Sequence, residues 1–151
     1  MVSVSNPQKL NEALAHYRRP ENASDWIIVG YSGPATLEFR QAGNGGASAL
    51  IQHLRDDECA YVFVREEYTE GDAGFKEGVI GNKANTKDIF IAWTGPKVGI
   101  IEKGKKKSHV GDAKVLFQPF HAELTAINRA NFNDVTVKDR SNPLSGSHVI
   151  D

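Results

Sequence analysis

The chain has one cysteine, no long apolar run and almost no net charge, and each of these features excludes a class of protein. The lone Cys59 cannot form an internal disulfide bond within the 151 residues, which suits a reducing compartment. No apolar stretch approaches the roughly 20 residues of a membrane-spanning helix, and the first ten residues lack a secretory signal pattern. We therefore expect a single cytoplasmic domain over residues 1–151.

The titratable residues predict neither a metal site nor an active site. A formal net charge of -1 argues against a nucleic-acid-binding protein. The histidines show no HxxxH or HExxH spacing and Cys59 has no partner, so no metal or cofactor is expected. Ser108 and His109 are sequence neighbours, which rarely form a catalytic triad. The carboxylates of residues 56–58 and 66–67 are expected on loops and strand ends, in solvent.

The apolar periodicity predicts a mixed chain of five strands and four helices. Asn6 and Ser108 are candidate N-caps for the first and third helices. The polar connection over residues 66–87 exceeds the usual loop length, and we expect it to be a flexible extension between paired strands. This order predicts an α/β (α+β) sandwich. Helices are expected over residues 7–17, 47–54, 108–118 and 134–140, and strands over 25–31, 36–42, 60–65, 88–93 and 120–127.

Positive charge is concentrated in the segment after the fourth predicted strand. A Thr94-Gly95-Pro96 turn follows that strand, and the next eleven residues hold five lysines against one acid, Glu102. Such a patch attracts an acidic partner. A solvated lysine loop is the alternative, which the charge alone does not exclude. The five lysines are Lys97, Lys103, Lys105, Lys106 and Lys107.

Two glycine-containing motifs permit an anion site but favour a simpler interpretation. Residues 99–106 (GIIEKGKK) lack the final Ser or Thr of a phosphate-binding loop and do not follow a strand directly. They therefore favour a basic surface segment over a nucleotide-binding loop. Residues 43–48 (GNGGAS) precede a predicted helix and could hold an anion at its N-terminus. A plain turn between strand and helix is commoner and is the favoured interpretation.

The segment Trp93–Val110 (WTGPKVGIIEKGKKKSHV) resembles the actin-depolymerising-factor homology domains of the drebrin and coactosin type. The resemblance extends upstream through Asp25-Trp26, the loop at residues 43–46, residues 60–65 (AYVFVR) and Lys87. It covers about residues 6–127 and leaves residues 128–151 as a divergent segment. It implies a central five-stranded mixed sheet flanked by helices, the ADF-homology (gelsolin-like) fold.

The resemblance also implies a partner, actin, and residues that contact it. Carried over by position, the contacts fall on Lys103, Lys105 and Ser108, with His109 and Lys114 as weaker candidates. Coactosin-type domains use a lysine before the fourth strand for filament binding, which Lys87 matches here. Coactosin-type domains commonly have further basic residues just before this lysine, and Lys83 is slightly displaced from those positions. Lys97, Lys106 and Lys107 complete the implied basic surface.

The resulting hypothesis is a non-enzymatic, monomeric, cytoskeletal protein that binds the side of filamentous actin and regulates filament dynamics. Two alternatives stay open. One is a cofilin-type protein that severs filaments and binds monomeric actin. The other is a module that binds acidic phospholipids through residues 103–107.

Overall fold

The fold is built on a mixed seven-stranded sheet with helices on both faces. The computed structural model describes residues 2–19, 21–22, 24–68, 85–142 and 144–151. The strands are β1 (Ser3–Val4), β2 (Trp26–Gly33), β3 (Thr36–Gly43), β4 (Cys59–Tyr68), β5 (Asn85–Thr94), β6 (Ala122–Ala126) and β7 (Val149–Ile150). The helices are α1 (Pro7–Tyr17), α2 (Gly46–Leu50), α3 (Ile100–Lys107), α4 (Val110–Phe117) and α5 (Asp134–Ser141), and a 3-10 turn, Ile51–His53, continues α2.

The strand order is β1-β3-β2-β4-β5-β6-β7. The four central strands β3, β2, β4 and β5 pair with one another in antiparallel fashion. At the edges, β1 pairs with β3, β6 with β5 and β7 with β6, all in parallel. The five predicted strands are confirmed as β2 to β6. The predicted number of strands is wrong, because β1 and β7 have two residues each and are too short to show an alternating pattern.

The central strands are buried on both faces, which explains why their sequences are apolar without a polar alternate position. Successive residues point to opposite faces of the sheet, so β2 sends Trp26 and Ile28 into one core and Ile27 and Val29 into the other. The first core lies beneath α2 and α5 and includes Trp93, Phe132, Val137 and Ile150. The second core lies beneath α1 and α4 and includes Leu10, Tyr17, Phe63, Phe90 and Phe117.

The first helix begins and ends where the sequence predicts, over Pro7–Tyr17. Asn6 occupies the N-cap position, but its side chain does not cap the helix. It bonds the backbone of Phe39 instead: the Asn6 amide donates to the Phe39 carbonyl at 3.2 Å and the Phe39 N–H donates to Asn6 Oδ1 at 2.9 Å. This pair of hydrogen bonds fixes the start of α1 on β3.

The prediction of one helix over residues 108–118 is wrong in its start. Two helices occupy this region, α3 (Ile100–Lys107) and α4 (Val110–Phe117). Ser108 is the C-cap residue of α3 and not an N-cap, since its hydroxyl donates back to the Lys105 carbonyl at 2.8 Å. Lysine is a good helix former, so the basic segment is a helix and not a loop. The apolar side of α4 faces the second core, where Ala113 and Phe117 are buried.

The polar connection predicted over residues 66–87 is shorter than expected. The β4–β5 ladder continues through Glu66 opposite Lys87, Glu67 opposite Thr86 and Tyr68 opposite Asn85. Residues 69–84, on which the predicted flexible extension falls, lie outside the described residues. The expectation that Glu66 is solvated is wrong, because only 4% of its surface is exposed.

A buried ion pair ties α1 to the sheet. The Arg65 guanidinium lies 2.7 Å from Asp88 Oδ1, and the Tyr17 hydroxyl donates to the same oxygen at 2.8 Å. The same guanidinium also donates to the carbonyls of Arg19 and Asn22, just after α1. Arg65 and Asp88 are neighbours in the β4–β5 ladder, so the ion pair lies within the sheet and α1 contacts it through Tyr17. Removing one partner of such a pair leaves a buried charge uncompensated.

The N-terminus of α2 is satisfied by two carboxyl groups from elsewhere in the chain. The Ala47 N–H donates to Asp134 Oδ1 at 2.7 Å and to Glu66 Oε1 at 2.9 Å. Gly46 has φ 72°, and a Cβ there would lie 2.4 Å from Asp134 Oδ1, so glycine is required for this approach. The sequence-based preference for a structural turn over a ligand cradle at residues 43–48 agrees with this arrangement.

These two carboxyl groups are hydrogen-bonded to each other, which separates their pKa values. Burial, together with the hydrogen bond to Asp134, raises the pKa of Glu66 to about 8. The pKa of Asp134 is lowered: burial opposes its ionisation, but the hydrogen bonds from Glu66, Ser48 and Ala47 outweigh it. Glu66 therefore carries the proton and Asp134 the charge at neutral pH.

Among the described residues, no helix is long and apolar enough to cross a membrane.

The Glu66–Asp134 pair predicts a fall in stability on the alkaline side. The unfolded chain releases the Glu66 proton near its ordinary pKa of 4.5, whereas the folded chain keeps it to about pH 8. The folded state thus binds more protons between these values, and the free energy of unfolding decreases as pH rises. We expect Glu66→Gln, which keeps the shape and the neutral state, to remove this decrease. Near pH 8 the free energy of unfolding of the variant should exceed that of the wild type by on the order of 1–3 kcal/mol.

Urea unfolding at a series of pH values from 5 to 8.5 measures the effect. Glu67→Gln is the matched control, because it removes the adjacent, exposed carboxylate and should keep the wild-type slope. An unchanged slope in Glu66→Gln would show that the buried pair is not the source.

Candidate functional site

The basic segment begins from a rigid turn. Trp93 is buried, and its indole N–H donates to the Arg55 carbonyl at 2.9 Å. The backbone after Trp93 is held by the loop before β4. The Gly95 N–H donates to the Glu58 carbonyl and the Lys97 N–H donates to the Asp56 carbonyl, both at 2.9 Å. A Cβ on Gly95 would lie 2.1 Å from the Asp56 carbonyl oxygen, so only glycine fits there. The position of α3 is therefore fixed at its N-terminal end.

Helix α3 has no buried residue, although it is eight residues long and contains two isoleucines. Ile100 is 87% exposed and Ile101 is 76% exposed. Residues at i, i+4 and i+7 share one face of a helix, so Ile101 lies on the same face as Lys105 and Ser108. Both of these are also exposed. This face, together with Lys97 and Ile100, is called the α3 surface below.

One lysine of α3 is less free than the others. The Lys106 ammonium lies 3.0 Å from Glu102 Oε2, one helical turn earlier, and 4.2 Å from the centroid of the Tyr31 ring. Lys97, Lys103, Lys105 and Lys107 are exposed. Since Glu102 neutralises Lys106, the exposed lysines supply the positive field of this region.

The junction between α3 and α4 is fixed by a chain of hydrogen bonds to the sheet. The Tyr31 hydroxyl lies 2.8 Å from the Tyr61 hydroxyl and 2.9 Å from His109 Nδ1. The Tyr61 hydroxyl also donates to the Lys106 carbonyl at 3.3 Å. Burial and the bond to Tyr61 raise the pKa of Tyr31 well above its ordinary value. His109 thus turns its Nδ1 toward the sheet and holds the helix end.

The remaining predicted residues lie apart from α3. Lys114 is on α4, and its ammonium lies 3.1 Å from Glu123 Oε1 on β6. Lys87 is half-buried within β5, opposite Glu66, and not on a loop. Thr94 lies seven positions further along β5, a distance of roughly 23 Å. Lys83 lies outside the described residues. The structure therefore brings the residues 97–108 together and does not bring Lys87 to them.

Ile100 and Ile101 are the functional candidates that charge-based reasoning missed. The signal was present in the sequence: two adjacent isoleucines stand in a segment whose other positions are almost all lysine, glycine or glutamate. An apolar pair in such surroundings has little to pack against in a short helix. Exposed isoleucines flanked by lysines are typical of a surface that a protein partner covers.

The alternative chemistries find no support in the geometry. Residues 100–106 of the loop-like motif GIIEKGKK lie in helix α3, so they cannot form a phosphate-binding loop. Within the part of the chain that the structure describes, no group of three or more metal-ligating side chains is brought together. What α3 offers is a contact surface.

Comparison with known proteins identifies the class to which this fold and surface belong. A family model described as cofilin/tropomyosin-type actin-binding protein matches residues 2–142. Coactosin from Dictyostelium discoideum is 24% identical over 143 residues, which covers 93% of this chain and 90% of that protein. The chain therefore belongs to the cofilin/ADF family of actin-binding proteins.

Solved structures show the same ADF-homology fold. Human coactosin-like protein superposes with a TM-score of 0.72 at 20% identity, covering 91% of this chain and 95% of that one. Mouse coactosin, described as an actin filament binding protein, gives a TM-score of 0.58 at 22% identity and covers 91% of this chain and 87% of that one. At these identities the likeness concerns the fold.

Proposed function

We propose that this protein binds the side of filamentous actin through the α3 surface, in the manner of a coactosin, and regulates filament dynamics without enzymatic activity. The observation that carries the proposal is a helix without buried residues that exposes Ile100 and Ile101 beside lysines. The isoleucines provide apolar area that a partner buries, and the lysines attract an acidic surface and orient it.

The family and its relatives support actin as the partner. The matching family model is described as actin-binding. The mouse relative is an actin filament binding protein. Association with the actin cytoskeleton follows from these comparisons by inference.

The residues that we assign to the contact divide by their surroundings. Ile100, Ile101, Lys105, Ser108 and Lys97 form the α3 surface and are its centre. Lys103 and Lys107 add positive charge around it, and Lys106 is paired with Glu102 beneath it. His109 positions the helix end through Tyr31, and Lys114 is paired with Glu123. We assign Lys87 to a second, separate contact, with Lys83 as its neighbour in sequence.

Co-sedimentation with filamentous actin tests this proposal. We expect binding that weakens between about 50 and 200 mM salt, because the screening length shortens over this range. The supernatant should contain no released actin monomer. Release of monomer would instead indicate a cofilin-type protein that severs filaments. Absence of binding at both salt concentrations would contradict the proposal.

Replacing the exposed isoleucines is expected to weaken filament binding without lowering the stability of the fold. Ile100→Ser combined with Ile101→Ser should weaken filament binding by about tenfold or more, because apolar contacts at the centre of an interface contribute most. The melting temperature should hardly change, since both side chains are exposed in the free protein. Val135→Ser is the matched control: Val135 is an exposed apolar residue, 78% exposed, on α5. Wild-type binding by the double variant would exclude the α3 surface.

Lys87 tests whether a second contact exists. Lys87→Ala should weaken filament binding by about two- to fivefold, as expected for one partly exposed charge. Lys9→Ala removes an exposed lysine of α1 and serves as the charge control. The melting temperature must be measured in parallel, because Lys87 is half-buried in β5. If a correctly folded Lys87→Ala binds like wild type, α3 alone carries the interaction.

A further inference from the structure

A cavity of about 400 Å³ lies between α3 and the sheet. Its floor is formed by side chains at the ends of three neighbouring strands. The register pairs Cys59 with Thr94, Tyr61 with Ala92, and Ala92 with Thr125. Alternation places all of these on one face of the sheet. The floor residues are Cys59, Tyr61, Ala92, Thr94, Thr125 and Ile127.

The cavity exists because neither the side chains of the sheet floor nor those of the helices above it fill the space between them. Four of the floor residues are small: Cys59, Ala92, Thr94 and Thr125. Opposite them lie Lys103, Lys106 and Lys107 of α3, at positions i, i+3 and i+4 of that helix, and Val110 at the start of α4. An ordinary surface helix turns its apolar stripe toward the core. Helix α3 does the opposite: Lys103, Lys106 and Lys107 line the cavity, and Ile100 and Ile101 face solvent.

The charged side chains that line the cavity are lysines, and the carboxylate of Glu102 lies beside them. Lys106 is paired with Glu102 at 3.0 Å, which leaves the positive charges of Lys103 and Lys107. Burial raises the pKa of the Cys59 thiol and of the Tyr61 hydroxyl, so both stay protonated and the floor carries no charge. The result is an uncharged, largely apolar floor beneath a cationic rim.

We infer that this cavity binds a small amphipathic organic anion, with its apolar part on the floor and its carboxylate or phosphate between Lys103 and Lys107. The volume falls within the range of about 300–1,000 Å³ that small-molecule sites occupy, and an apolar lining with a few charged groups is their usual composition. The occupant is a free molecule and not a membrane surface, because the floor is covered by α3. This site goes beyond the proposed function and requires no actin.

Binding of dodecanoate, used below its micellar concentration, tests the inference on the protein alone. Calorimetry should detect binding, and the methyl NMR signals of Ala92 and Thr125 should shift on titration. Dodecanol and dodecyltrimethylammonium carry the same chain without the negative charge, and both should bind more weakly. Equal binding of the cationic compound, or the absence of shifts at these methyl groups, would overturn the inference.

Variants separate the cavity from surface adsorption. Ala92→Leu fills the floor and should abolish dodecanoate binding. Lys103→Gln with Lys107→Gln should weaken it, by about two- to fivefold for each lysine, and reduce its salt dependence. Lys105→Gln is the matched control, since it removes a lysine of the same helix that does not line the cavity. Undiminished binding by a folded Ala92→Leu would overturn the inference.

A last comparison distinguishes a free anion from a lipid surface. Sedimentation with anionic vesicles measures adsorption through the lysines in general, and this adsorption should not depend on Ala92. Vesicle binding without any dodecanoate-induced shift at Ala92 would assign the lysines to a lipid surface and reject the cavity. If Ala92→Leu fails to fold, the shifts in the wild-type protein decide the question.

Discussion

The pairing of β4 with β5 is the constraint on which the rest of the structure depends. The two strands form a continuous antiparallel ladder from Cys59 opposite Thr94 to Tyr68 opposite Asn85, and its centre is buried on both faces. Because side chains alternate across a strand, this one ladder fixes which residues enter each core. One of its ends leads through the Gly95 turn to α3. Its other end brings Glu66 to the start of α2.

Helix α3 shows how a segment with little packing of its own can be held in a defined position. An isolated helix of eight residues is unstable in water, and α3 buries no side chain. Its position comes from its two ends, the Gly95 turn bonded to Glu58 and the Lys106–His109 junction bonded to Tyr31 and Tyr61. The α3 side chains between these anchors are exposed or half-buried. They are available for a partner on one face and line a cavity on the other.

Polar groups inside this fold hold helices to the sheet. The Arg65–Asp88 pair on the central ladder contacts α1 through Tyr17. Glu66 and Asp134 connect β4, α2 and α5, because both accept a hydrogen bond from the Ala47 N–H. Arg65, Asp88 and Glu66 are buried and Asp134 is half-buried, so protonation of these groups is coupled to the packing of the elements that they join. The described C-terminal elements are part of this assembly, since Val137 and Ile150 lie in the core with Trp93.

The sequence by itself determined the five principal strands, the first and last helices, the buried stripe of α4 and the position of the positive charge, because each depends on local periodicity or composition. The tertiary structure alone decided the rest. Ser108 ends a helix instead of starting one, since the residues before it are held in a helical path from both ends. Glu66 is buried because a distant N–H and Asp134 meet it there. The exposure of Ile100 and Ile101, and the cavity behind α3, depend on which face of that helix meets the sheet, which no local pattern specifies.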